Sequence, residues 1–470
     1  MEAVWDEVRI GAQLAFRTLI PPAEERVPLT WNNGIIPLLC YVPLVFMAYL
    51  ARRPDTYPIR LLLLPSTISA VLFAAYHFTW TEPILNVYNW GQCLMAAVVI
   101  AKAIEYALTK EGILKIGESR PGVVKGKSKI DHPSESPNGT QTMSESSPDD
   151  HGGFIPRWLS DAFELLHTNR GLSFKFGQIT YTPPFTRPLT SRRAFLSTTL
   201  QSFIVNYLKL DFCESLIKLF PGGIGTPLGG SIFLSQLPMP FPRYLVSTII
   251  HILTGFALLS GFGMVYDLCT LFAVGVVGTS PTAWPPVTEQ PWLAESMHEL
   301  WARRWHQLLR QTFLVYGGYP GKWVLESLAI ASLAPLALAF PSAKRSGQIK
   351  LTTAQFGSLG MLLGAFIASG LFHECAMYAM NRGFDFIPVF FFALQGPILI
   401  GERVWRKVTG KRVGGWIGRL WVYFNMFVLA QPMINSWHRR GLGGGMVLPP
   451  MFSPMRLFVI PLLRRFVRRW

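Results

Sequence analysis

Residues 357–380 read GSLGMLLGAFIASGLFHECAMYAM. A bilayer's hydrocarbon core is about 30 Å thick and takes roughly 20 apolar residues in a helix. This stretch meets that length, yet it carries His373 and Glu374 near its C-terminal end. An ionisable group held in hydrocarbon is costly, so an intramembrane histidine is a functional-site hypothesis by default. On a helix, Phe366, Ser369, Gly370, Ala376 and Met377 share the face of His373, being three, four or seven residues from it. Ser369 and Gly370 are small and leave room beside the imidazole. The plainer alternative is a histidine satisfied by a neighbouring helix, with the small residues serving close helix packing.

A second stretch, SMHELWARRWHQLLRQTF at 296–313, bears on that choice. On a helical wheel Met297, Trp301, Trp305, Leu308, Leu309, Thr312 and Phe313 form one broad, mostly apolar arc. Arg303 and Arg310 fall on the polar side, and His306 sits at the border. The pattern predicts one amphipathic helix lying in the membrane interface.

RRWH at 303–306 followed by SGLFHE at 369–374 resembles the membrane-bound O-acyltransferase superfamily. The likeness is closer to its wax-synthase-like branch, which includes fungal acetyltransferases of terpenoid and meroterpenoid pathways. It covers residues 290–435, and the N-terminal half only in general layout. The resemblance implies an all-α bundle with a central tunnel reaching a catalytic histidine, and an endoplasmic reticulum location. It further implies acyl-CoA, acetyl-CoA in this branch, as co-substrate and a lipophilic alcohol as acceptor. His373, in its SG-x-x-HE setting, matches the catalytic histidine. His306 matches the second polar position, which follows Arg-Arg-Trp and is often Asn, so a histidine there departs from the pattern. Arg303, Arg304 and Arg310, with Trp305 among them, are candidates for holding CoA phosphates, because guanidinium forks suit phosphate oxygens. The competing reading is of arginines that merely snorkel from an interfacial helix. Glu374 and Ser369 are supporting candidates.

The chain has 470 residues, 50% of them hydrophobic and 15% charged, with a mean hydropathy of +0.30. That composition is of a polytopic membrane protein. The formal charge of +16 lies largely beside apolar runs, where Lys and Arg set topology and meet anionic headgroups, so it argues for no nucleic-acid partner. The five cysteines sit in or beside apolar segments with no metal-type spacing, and HECAM at 373–377 is not HExxH. No metal is expected.

Apolar runs place spans near 34–51, 61–80, 90–108, 196–219, 244–277, 386–404 and 416–436, besides the His373 helix. With the long, interrupted and short apolar pieces this predicts an all-α polytopic membrane protein of about eight transmembrane helices, range seven to ten, with interfacial or re-entrant helices. Three parts follow: a three-span segment at 1–108, a cytosolic linker at 109–193 disordered over about 119–152, and a catalytic core at 194–470. Arg52, Arg53 and Arg60 between the first spans put that loop in the cytosol. The N-terminus lacks the basic leader of a signal peptide. The run 244–277 is too long for one simple span and is read as one span with a tilted or re-entrant remainder. The segment 323–341, interrupted by Pro335 and basic at both ends, reads as re-entrant. Rival functions are a wax-ester synthase using long-chain acyl-CoA and a fatty alcohol, and a proton-coupled transporter. The absence of detectable internal repeats weighs against the transporter.

Overall fold

The computed structural model describes residues 2–124, 156–339 and 348–467. Regular structure there is almost wholly helical. The main helices are α1 (Glu2–Leu19), α2 (Val42–Ala51), α3 (Tyr57–Tyr76), α4 (Asn86–Leu108), α5 (Arg157–His167), α6 (Arg192–Ile217) and α7 (Phe241–Phe272). They continue with α8 (Tyr319–Ala339), α9 (Gln348–Ala379), α10 (Ile387–Thr409), α11 (Gly415–Phe424), α12 (Gln431–Arg439) and α13 (Ile460–Val467). The strands are two short pairs, Val27–Pro28 with Phe78–Thr79 and Glu118–Arg120 with Val123–Val124. Helices α3, α4, α7, α9 and α10 are long and apolar enough to cross a membrane, and the shorter apolar stretch Ile35–Ala51 joins them. This is an all-α polytopic membrane protein.

The long run 244–277 is a single helix. α7 has 32 residues and passes directly into a π-turn at Ala273–Val277, so at 1.5 Å per residue the helix alone reaches about 48 Å. Pro335 does not interrupt its segment either, because α8 runs through it. α8, with the π-turn at Leu314–Gly318 that leads into it, lies along α9 through small residues. A Cβ on Gly364 would come within 2.0 Å of the Gly317 carbonyl oxygen, and one on Gly360 within 2.1 Å of that of Gly321. Backbones this close are how helices associate where lipid removes the hydrophobic drive.

Helix α9 occupies the middle of the bundle. Its Ala376 and Ala379 pack into a core with residues of α2, α3 and α4, while Met377 and Met380 pack into a second with Phe391, Phe392 and Trp437. Its His373 end is therefore held from both sides.

The described parts of the 109–193 segment, 109–124 and 156–193, are tied into the fold. Glu118 accepts from both terminal nitrogens of the Arg52 guanidinium at 2.7 Å, and Asp161 of α5 pairs with Arg53 at 2.9 Å. Arg60 donates to the carbonyls of Tyr106, Thr109 and Lys110 at the end of α4. These arginines, read in sequence as topology signals, also lock the α2–α4 ends together. The expected disorder at 119–152 is corrected at its start, since 119–124 belong to the Glu118–Val124 hairpin. Its remainder, from 125 on, lies outside the described residues.

Candidate active site

The RRWH stretch is not the continuous amphipathic helix that its wheel predicts. Ser296 Oγ caps the Glu299 N–H at 3.0 Å, and Glu402 accepts the N–H groups of Met297 and His298 at 2.8 and 3.0 Å. A single α-turn at Met297–Glu299 then widens into a π-turn at Leu300–Arg304. Trp305 leaves the helix with ψ of 155°, and helix resumes only at Arg310–Phe313. The side-chain amide of Gln307 donates to the Trp301 and Trp305 carbonyls at 2.8 and 3.0 Å. The freed carbonyls thus find a partner inside the protein. The break turns His306 away from the border that the wheel gave it.

His373 stands in α9, four residues past Ser369. Its Nδ1 lies 2.7 Å from the Ser369 carbonyl oxygen. A carbonyl only accepts, so Nδ1 carries the proton and Nε2 holds a free lone pair. The ring stacks on Phe392 at 4.6 Å between centroids and on Trp437 at 5.8 Å, with Phe372 meeting it edge-on. Ser369 contributes its backbone rather than its hydroxyl. Gly370 leaves no space for substrate, because a Cβ there would lie 2.6 Å from Val389 Cα. Its role is to let α10 approach, and that approach delivers Phe392 to the histidine.

His306 is half-buried and packs against Phe262 and Trp305, with centroids at 4.9 and 5.2 Å. Its Nδ1 is sealed without a partner, which leaves Nε2 as the nitrogen that can meet a ligand. Burial, with a smaller contribution from charge on the nearby His373, pulls its pKa down to about 4. The fold therefore brings the two sequence-selected histidines, 67 positions apart, into electrostatic reach of each other.

The arginines divide. Arg304 is committed to the fold, donating to Glu299 at 2.7 Å and to the Glu289 carbonyl at 3.2 Å. Arg303 is exposed and lies over the Tyr181 ring at 5.7 Å. Arg310 is half-buried beside Tyr319. Trp305 packs on Trp301 and His306, with ring centroids at 6.1 and 5.2 Å.

Glu374 points away from its neighbour histidine. It is fully buried and accepts from both terminal nitrogens of the Arg440 guanidinium at 2.9 and 3.2 Å, together with the Asp385 N–H at 2.9 Å. Sequence reasoning missed Phe392, Trp437 and Arg440, which come from other helices and carry no local signal. Arg170, in the stretch HTNRGLSFKFGQ at 167–178, is buried and donates to the Pro285 and Pro286 carbonyls at 2.7 and 2.8 Å, which joins this loop to the approach to the RRWH break. Among the described residues no group of three or more His, Cys, Asp or Glu is placed to hold a metal.

Comparison with known proteins bears on this geometry. The chain is 26% identical over 250 residues to the O-mevalon transferase yanI of Aspergillus niger, covering 52% of this chain and 51% of that protein. It is 26% identical over 256 residues to the O-mevalon transferase macI of Penicillium terrestre, covering 53% of each. The chain thus spans about half the length of the curated relatives it matches. No solved structure matches. Residues 284–394, which hold both histidines and the RRWH break, match the model of the membrane bound O-acyl transferase family, the family that the paired motifs resemble.

Proposed function

We propose that this protein is a membrane-embedded O-acyltransferase that moves an acyl group from acyl-CoA to a hydroxyl of a lipophilic acceptor. The observation that carries the proposal is the His373 imidazole, with Nδ1–H fixed on the Ser369 carbonyl and Nε2 unused within an aromatic site. Acyl transfer needs a base for the hydroxyl proton, a hold on the thioester carbonyl and exclusion of water. Nε2 of His373 takes the proton as the hydroxyl oxygen bonds to the thioester carbon. The carbon–sulfur bond then breaks, and the proton passes to the departing CoA thiolate. His306, neutral at physiological pH, donates from Nε2–H to the carbonyl oxygen as charge builds there. Arg303 and Arg310 meet the CoA phosphates, whereas Arg304 acts through the fold.

In this reading acetyl-CoA is the donor and a hydroxylated terpenoid or meroterpenoid the acceptor, in the endoplasmic reticulum membrane, with the RRWH face toward the cytosol. The relatives' names add a mevalon group to the donors worth testing. Microsomes carrying the protein, given labelled acetyl-CoA or palmitoyl-CoA with a panel of hydroxylated terpenoids and fatty alcohols, test it. Label appearing in an acetylated terpenoid supports the reading. Turnover of palmitoyl-CoA with fatty alcohols alone makes the protein a wax-ester synthase instead. No turnover of any donor overturns the enzyme reading.

A further inference from the structure

The base candidate does not hold its own position. Its ring is held by three elements, the end of α9 that carries it, the start of α10 that brings Phe392, and α12 that brings Trp437. All three converge on one buried carboxylate. Glu374, next to His373 on α9, accepts from the N–H groups of Asp385 and Phe386 at 2.9 and 3.4 Å, where the chain turns into α10. It also accepts both terminal nitrogens of Arg440, at the C-terminal end of α12. Arg440 in turn reaches Ser436 Oγ at 2.9 Å, one residue before Trp437, and pairs with Asp385 at 3.2 Å. Asp385 closes the loop by accepting from Ser436 Oγ at 2.6 Å.

We infer that Glu374 and Arg440 form a positioning latch that fixes the His373 ring between Phe392 and Trp437. The inference rests on the reading of His373 as the base. Glu374 itself touches no reacting atom, because each of its oxygens is sealed inside the latch. A bidentate guanidinium–carboxylate pair fixes orientation as well as distance. A buried carboxylate with two cross-helix partners therefore ties all three elements to one point. The Phe386 backbone, at a φ of +56°, supports this. It is a left-handed conformation that an aromatic residue adopts only when its surroundings enforce it, and here Glu374 holds that N–H.

The test uses the full-length protein in membranes and two variants, Glu374→Gln and Arg440→Lys. The first removes the charge while keeping the shape, and the second keeps the charge while removing the fork. A base displaced by a fraction of an ångström loses rate without losing substrate affinity, so kcat should fall by about ten- to a hundred-fold in Glu374→Gln. KM for donor and acceptor should stay at the parental values, and Arg440→Lys should lie between. In a His373→Ala background Glu374→Gln should leave the residual rate unchanged, which a general loss of structure would not. A second readout needs no activity at all. Carbethoxylation of His373 by diethyl pyrocarbonate, followed on its peptide by mass spectrometry, should speed up several-fold in both variants as the ring is released. The rate at His306 should not change. Parental kcat in both variants overturns the latch, as does a raised KM with kcat intact or an unchanged carbethoxylation rate at His373. If the parent transfers no acyl group, the functional reading falls by itself and the carbethoxylation rates still decide the latch. Where Glu374→Gln fails to accumulate, Arg440→Lys carries the same readouts.

Discussion

Ionisable side chains are buried in two quite different ways in this bundle. On α6, Asp211 accepts from Ser453 Oγ, from Ser215 Oγ at 3.4 Å and from the Met455 N–H at 2.8 Å. One turn on, Glu214 accepts from Lys218 at 2.6 Å and from the Leu448 N–H at 3.3 Å, and pairs with Arg456 at 2.8 Å. Both carboxylates are consumed in strapping the 445–456 segment to α6. Around His373 the arrangement is the reverse. One nitrogen is fixed by a backbone carbonyl, and the other is left without a partner among the described residues. A buried polar group with all its hydrogen bonds made is architecture. One held in place by one nitrogen, with the lone pair of the other free, is equipped to take a proton from a substrate.

The sharpest way to break that contrast is His373→Ala. Loss of a positioned proton acceptor lowers kcat by about 10²–10⁴-fold, while the protein should still accumulate in membranes at the parental level. Product formation in microsomes, normalised to protein, measures it. Near-parental transfer would make His373 one more structural group, like those on α6.

Glu214→Gln should produce the opposite pattern. Removing one partner of a buried charge network leaves the others uncompensated and costs about 3–5 kcal/mol, with the lower end expected because Lys218 is 19% exposed. The detergent-purified variant should unfold at a lower temperature, and its kcat per folded molecule should stay within a few-fold of the parent. A selective loss of kcat with stability intact would put α6 in the active site.

The two regions were unequally legible in the sequence. Asp211 and Glu214 are too polar for a lipid-facing span, which the sequence shows, but their partners in 445–456 carry no periodic signal, being about 240 positions away. His373 was legible because a histidine in an apolar run is costly enough to demand a reason. The RRWH stretch misled for a physical cause. A helical wheel assumes unbroken helix, and nothing in the residue periodicity reveals that Gln307 stands ready to satisfy the carbonyls of a break. The break in turn leaves Arg304 paired with Glu299, Arg303 exposed and His306 half-buried. Gly370 was read as space and proved to be contact, since a small residue permits either and only the partner helix decides.

His306 sharpens the comparison, for it combines a sealed, unpartnered Nδ1 with a half-buried ring. His306→Ala should raise KM for the donor, lower kcat, or both, and His306→Asn should recover part of the loss because Asn can still donate. Burial pulls its pKa down to about 4, so the imidazole stays neutral from pH 8 down to pH 5.5. Donor KM should therefore be flat across that window and change only as pH falls toward about 4, when the ring gains its proton. A donor KM that titrates near pH 6.5 in the parent and becomes flat in His306→Asn would show an unburied, ordinary imidazole.

The smallest effect separates two adjacent arginines. Arg304 is tied to Glu299 and to the Glu289 carbonyl, while Arg303 is exposed and lies over the Tyr181 ring. Arg303→Ala should leave thermal stability unchanged and raise KM for acyl-CoA by up to about five-fold, the scale of an exposed ion pair worth about 0–1 kcal/mol. That increase should shrink at higher ionic strength, since exposed charges are screened. Arg304→Ala should instead lower the unfolding temperature, because it frees Glu299 and the loop at 289–290 that the guanidinium holds. Steady-state donor titrations at two salt concentrations, paired with thermal unfolding of each variant, read both axes. If Arg304→Ala shows the salt-sensitive KM and Arg303→Ala shows the stability loss, the guanidinium partners seen here do not describe which arginine meets the donor.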